Sequence, residues 1–171
     1  AIAQEKGELD SAVTHYQKAL EIVPGQKAVH TELMRVYLSK KEIGQAAGQV
    51  EAILAVERND FENLAQLGKL RAREGRNEDA IALFRESLAL HFHPETSASL
   101  ADALRDQGNC AEAIKHYAAS LKSRPRHALT ANNFAWILAT HPDPELRDGA
   151  KAREWAQVAC DETGNKIPPL L

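Results

Sequence analysis

Aromatic side chains are scarce in this chain, 5 % of 171 residues, so large rings cannot be the main filling of its interior. Alanine and leucine are abundant instead, a composition that suits helices packed close together. There are two cysteines, Cys110 and Cys160, fifty positions apart. They match no CxxC or zinc pattern and do not fix a redox compartment. Excess charge of one sign is also missing: 21 basic against 24 acidic residues leave a formal charge of −3. Neither nucleic acid nor an acidic membrane surface is therefore an indicated partner. No apolar run approaches the roughly 18 residues that span a bilayer, so membrane insertion of this segment is not expected. What remains, 44 % hydrophobic and 26 % charged, is the make-up of an ordered chain rather than a disordered one.

The sequence repeats itself. Ala12, Ala46, Ala80, Ala113 and Ala152 recur at spacings of 34, 34, 33 and 39. Further columns move with them: Tyr16, Val50, Phe84, Tyr117 and Ala156, then Leu20, Leu54, Leu88, Leu121 and Cys160. Five residues before each alanine stand Gly7, Lys41, Gly75, Gly108 and Arg147. Each unit reads as two helices. The first carries one apolar stripe of helical period, as in His30, Leu33, Met34 and Tyr37, or Ala131, Phe134, Ala135 and Leu138. Gly68, Ala101 and Ala135 keep that stripe thin enough for neighbours to approach. The glycines at 7, 75 and 108 stand where the first helix must stop and the chain reverse. Pro24 and Pro125 block continuation of the second helix.

The segments "GELDSAVTHYQKALEIVP", "GRNEDAIALFRESLAL" and "GNCAEAIKHYAASLKSRP" resemble second helices of tetratricopeptide repeats, and the period agrees with that family. The resemblance implies an all-α, right-handed α-solenoid of tandem antiparallel helix pairs. The expected map has a partial repeat at 1–26, with a helix ending at residue 6 and its partner at 9–22. Repeats follow at 27–60, 61–93 and 94–127, then a variant repeat at 128–166 with a loop insertion, and the start of a further helix at 167–171. Both ends cut through repeat units, so a longer protein is expected. Arg71, His30 and Ser97 depart from the usual apolar pattern.

In the fifth unit, His141-Pro142-Asp143 resembles the signature loop of J-domain co-chaperones. That reading needs a basic helix upstream, and residues 128–140 contain no Lys or Arg. The triplet instead falls in an insertion of five residues between two helices, with Pro142 and Pro144 ending the first and Asp148 starting the second. The wider stretch resembles a variant repeat of large bacterial proteins, notably of planctomycetes, in which Trp136 and Arg147 would brace the longer loop.

No catalytic set holds up: there is no HExxH, no glycine-rich phosphate loop and no GxSxG elbow. His91 and His93 form an HxH triplet without a third ligand, better read as a linker. His15 and His116 occupy equivalent columns and read as repeat-surface residues. No enzyme activity, metal or cofactor is expected.

The resemblance puts the first helices on the inner surface of the solenoid. Subtracting their buried stripes leaves Thr31, Glu32, Arg35 and Ser39, then Glu62, Gln66, Lys69 and Arg73. Glu95, Ser99, Asp102, Arg105 and Asp106 follow, and finally Asn132, Asn133, Trp136 and Thr140. Arg35, Lys69, Arg73, Arg105, Asn133 and Trp136 are the expected partner contacts, for a peptide with acidic character at one end. Two arrangements known in the family do not carry over. Both the carboxylate clamp and the asparagine ladder need asparagines in the column that here holds Glu32, Gln66, Ser99 and Asn133. The implied function is a protein-interaction scaffold within a longer protein. Self-assembly through repeat ends, and service as the targeting arm of a separate catalytic domain, stay open as alternatives.

Overall fold

The computed structural model describes residues 2–164, which form nine α-helices and one short 3-10 helix. The chain divides into two compact units at residues 90 and 91. The first holds α1 (Ile2–Ile22), α2 (Lys27–Ser39), α3 (Ile43–Val56), α4 (Phe61–Arg73) and α5 (Asn77–Leu90). The second holds α6 (Pro94–Asp106), α7 (Cys110–Ser123), α8 (Ala128–Thr140) and α9 (Gly149–Thr163). Within the units α2 packs on α3, α4 on α5, α6 on α7 and α8 on α9, each a sequential antiparallel pair. None of the described helices is long and apolar enough to cross a membrane. The expected helix at 167–171 lies outside the described residues.

One turn geometry closes three of the hairpins. Lys41, Gly75 and Gly108 all have positive φ, 62°, 78° and 83°. In each case the next amide returns to a carbonyl near the helix end: Glu42 to Tyr37 at 2.9 Å, Arg76 to Arg71 at 2.9 Å and Asn109 to Leu104 at 2.8 Å. This is the glycine-favouring C-terminal motif of helices. Gly7 behaves differently. The expected break there is absent, because α1 runs unbroken from Ile2 to Ile22. A glycine inside a helix costs about 1 kcal/mol relative to alanine, and no proline stands nearby to convert that cost into a stop.

The core is built from the stripes read in the sequence. In the first unit Leu33, Tyr37, Ala46, Ala47, Val50, Leu67 and Leu70 are buried together. Gly68 lets α4 meet α5 at close range: a Cβ there would lie 2.6 Å from the ring of Phe84. In the second unit Tyr117, Phe134 and Trp155 stack in series, with ring centroids 6.1 Å apart at each step.

The odd residues of the apolar pattern have partners. His30 is buried, its Nε2 donating to the Pro24 carbonyl at 2.8 Å and its Nδ1 2.8 Å from the side-chain amide of Gln49. In the equivalent positions of the fourth repeat, Ser97 Oγ bonds the His116 carbonyl at 3.0 Å and lies 3.2 Å from its Nδ1. The same two columns hold Leu64 and Leu83, then Ala131 and Trp155, in the other repeats. The pair is thus polar on both helices or apolar on both. His116 is therefore half-buried and bonded inward, a correction to its reading as a surface residue, whereas His15 is exposed. Arg71 is drawn in by Glu51 and by Glu74, the latter at 2.7 Å.

The loop after α8 contains a 3-10 helix, Pro144–Leu146, that periodicity alone does not reveal. His141 Nδ1 accepts from the Asp143 amide at 3.1 Å, and the Asp143 carboxylate accepts from Glu145 N at 2.9 Å. Asp148 caps α9 as expected, accepting from Lys151 N at 3.0 Å, while its own amide donates to Leu138 O at 3.0 Å. The triplet thus contributes His141 Nδ1 and the Asp143 carboxylate to the hydrogen bonds that shape this loop.

Candidate protein-binding surface

In the first unit, burial of Leu64, Leu67 and Gly68 turns the opposite side of α4 to solvent. Lys69 and Arg73 stand there, four residues apart and so one helical turn apart on one face. Both are exposed, and neither forms an ion pair among the described residues. Arg35, on α2, is also exposed but pairs with Glu32 of its own helix at 2.8 Å. Between the two helices Gln66 Nε2 approaches Met34 Sδ at 4.0 Å. Of the three expected basic contacts in this unit, Lys69 and Arg73 thus carry free charge, and Arg35 carries charge already partly balanced.

The second unit is organised around Asp102. Its Oδ1 accepts from the Tyr117 hydroxyl, from Asn133 Nδ2 at 2.9 Å and from Arg105 Nη1 at 3.3 Å. Arg105 also bonds Asp106, at 2.9 Å through Nη2, and its Nη1 donates to the Tyr117 hydroxyl oxygen at 3.2 Å. Burial, and then the Asp102 carboxylate, push the Tyr117 phenol far above its ordinary value. Arg105 and Asn133, both expected to face a partner, are here joined to a carboxylate of their own chain. Trp136 makes no such commitment and its ring is half-exposed, at 49 %.

Subtracting a buried stripe from the first helices could not find the Asp102 cluster, because the hydroxyl that anchors it comes from a second helix. A signal was present all the same. The aromatic column holds Phe84 in one repeat and Tyr117 in another. A buried tyrosine hydroxyl needs an acceptor where phenylalanine needs none. The column holding Arg35, Lys69 and Trp136 turns acidic only at Asp102.

Elsewhere His93 pairs with Glu95 at 2.9 Å at the start of α6. Among the described residues no group of three or more His, Cys, Asp or Glu is placed to hold a metal ion. Cys110 is half-buried and Cys160 buried.

Three family profiles, each a tetratricopeptide repeat, match residues 3–70, 64–98 and 98–166. Among solved structures the chain is similar to MamA, with a TM-score of 0.79 at 18 % identity, covering 95 % of this chain and 93 % of that one. It is also similar to YrrB, a tetratricopeptide repeat protein with an unusual peptide-binding site. There the TM-score is 0.75 at 22 % identity, covering 96 % and 83 % of the two chains. The protein pilF of Pseudomonas aeruginosa gives 0.76 at 22 % identity, covering 93 % and 71 %. At such identities the structures speak for the fold: an α-solenoid of tandem helix pairs. With that fold, the recurring left-handed turn and profiles that run through almost every residue, the chain belongs to the tetratricopeptide repeat family.

Proposed function

We propose that this chain is a protein-interaction scaffold, binding a peptide or protein segment along the exposed faces of its first helices. Its family consists of scaffold repeats that mediate protein–protein contacts and typically carry no catalysis. YrrB, of the same fold, has a peptide-binding site. The observation that carries the reading is the exposed, unpaired couple Lys69 and Arg73 on α4. Two cations one turn apart attract a carboxylate-bearing segment, and Arg35 on α2 adds to the same field in that unit. In the second unit Trp136 offers an apolar platform, while Arg105 and Asn133 present a surface held by Asp102. The test is selection of a random-peptide phage library on the chain, with the enriched peptides measured by fluorescence anisotropy. Reversing both charges, Lys69→Glu with Arg73→Glu, is expected to weaken acidic binders at least ~10-fold. Unchanged affinity for every selected peptide would remove this face from the function.

Self-association is the second reading. Ile22, Val56 and Leu90 occupy one column at the ends of successive second helices in the first unit and are 81 %, 70 % and 45 % exposed. A row of exposed apolar side chains favours contact with another such row. Sedimentation velocity over a wide concentration range checks it: a fixed monomer coefficient argues against assembly, and a shift abolished by Val56→Asp supports it.

A further inference from the structure

The insertion after α8 does more than close a turn. Together with α7, α8 and α9 it borders an open cleft of about 650 Å³, wholly within the second unit. Leu121, Phe134 and Leu138 form the buried floor, while Leu146 of the 3-10 helix and the half-buried Trp155 form the walls. The rim is charged. Lys122 and Arg147 are exposed there without ion-pair partners among the described residues, and Lys151 is matched by Asp148 at 2.9 Å. Glu145 completes the rim.

This cleft is separate from the surface of the first helices. Successive residues of a helix are turned by roughly 100°. Phe134 and Leu138, which line the cleft, therefore lie on the far side of α8 from Asn133 and Trp136.

We infer that the cleft is a second binding site, for a peptide segment carrying bulky apolar side chains next to a carboxylate. The volume falls in the range of about 300–1,000 Å³ usual for ligand sites, with room for two or three large side chains. The floor is apolar enough to reward their burial. Lys122 and Arg147 supply the unmatched positive charge that selects a neighbouring acid. A fatty acid offers the same two chemistries, but its chain needs an enclosed channel. Here Ala118 is exposed and Trp155 only half-covered, so an alkyl tail would stay partly in water. A peptide, whose backbone tolerates water on one side, suits an open cleft better.

The two tryptophans make the test specific, because Trp155 lines the cleft and Trp136 does not. A random-peptide phage library is selected on the wild-type chain and counter-selected on Ala118→Gln, which narrows the cleft from an exposed position without adding charge. Enriched peptides are titrated against Trp136→Phe, where Trp155 is the reporter, and against Trp155→Phe. The expected result is acidic, apolar-rich peptides that move Trp155 emission alone. They lose at least ~10-fold affinity on Ala118→Gln and about fivefold on Lys122→Glu with Arg147→Glu. They are indifferent to Lys69→Glu with Arg73→Glu, which separates this site from the one proposed above. Far-ultraviolet circular dichroism checks that each variant folds. Because Lys122 and Arg147 are exposed, the charge-reversed variant stands in should Ala118→Gln fail to fold. No enrichment over the narrowed cleft overturns the proposal. So do peptides unaffected by charge reversal, or sodium oleate moving Trp155 where no peptide does.

Discussion

At the scale of single residues, Lys41 is the chain's clearest compromise. It holds the same left-handed turn that Gly75 and Gly108 hold, at φ 62°, but with a side chain attached. For an L-residue that conformation costs roughly 1–2 kcal/mol, and glycine escapes the cost at the price of a more flexible unfolded chain. Lys41→Gly is therefore expected to stabilise the protein by about 1 kcal/mol, visible as a higher urea midpoint at unchanged slope. A neutral or lower midpoint would mean that the Lys41 side chain contributes something its turn does not reveal. Gly68 is the opposite case. Its φ is ordinary, and it is needed for space, because the Phe84 ring occupies the place of a Cβ.

At the scale of helices, stability depends on how the elements are tied. Lys27 at the start of α2 reaches both Glu57 and Asp60, at 2.6 Å each. Asp60 also caps α4 through the amides of Glu62 and Asn63. Burial alone would raise the Asp60 carboxyl; the Lys27 ammonium and the Asn63 amide outweigh it and hold the value at about 2. A folded value below the unfolded one, about 3.9, gives stability that is present above pH ~4 and lost as pH falls towards 2. The stability difference between wild type and Asp60→Asn should then shrink steadily from about pH 5 to about pH 2, read from urea midpoints. Asparagine keeps the cap and removes the charge, so a constant difference would discount the Lys27 tie. The buried pair of His30 and Gln49 makes a separate demand. His30→Leu alone leaves the Gln49 amide and the Pro24 carbonyl unpaired, a loss of about 1–3 kcal/mol. Adding Gln49→Leu recreates the apolar pair held by Leu64 and Leu83 and should recover at least ~1 kcal/mol. If the two changes simply add, the columns are not a pair. Much of this was legible in sequence: the stripes, the caps at Asp148 and the turns at Gly75 and Gly108 follow from local chemistry. The pairing of His30 with Gln49, and of Tyr117 with Asp102, was not. Each joins two helices, and reading one helix at a time shows only an odd residue on each.

At the scale of the whole molecule, charge sets a constraint that the local surface must overcome. The formal charge of −3 repels an acidic partner at long range, whereas Lys69 and Arg73 attract it at contact. Salt screens exposed charges beyond about 10 Å at 0.1 M, so it weakens the long-range repulsion first and the contact attraction later. For an acidic peptide selected on the wild-type chain, contact should dominate, and affinity should fall as salt rises from about 0.05 to about 0.5 M. In Lys69→Glu with Arg73→Glu the local attraction is gone and the chain is more acidic still. The same salt series should then strengthen what binding is left. The reversal of sign, rather than the loss of affinity alone, distinguishes a true electrostatic contact from damage to the helix. A variant that binds weakly with the wild-type salt slope would place the attracting charge elsewhere. The rim of the second unit's cleft, where Lys122 and Arg147 are exposed without ion-pair partners among the described residues, would be the first place to look.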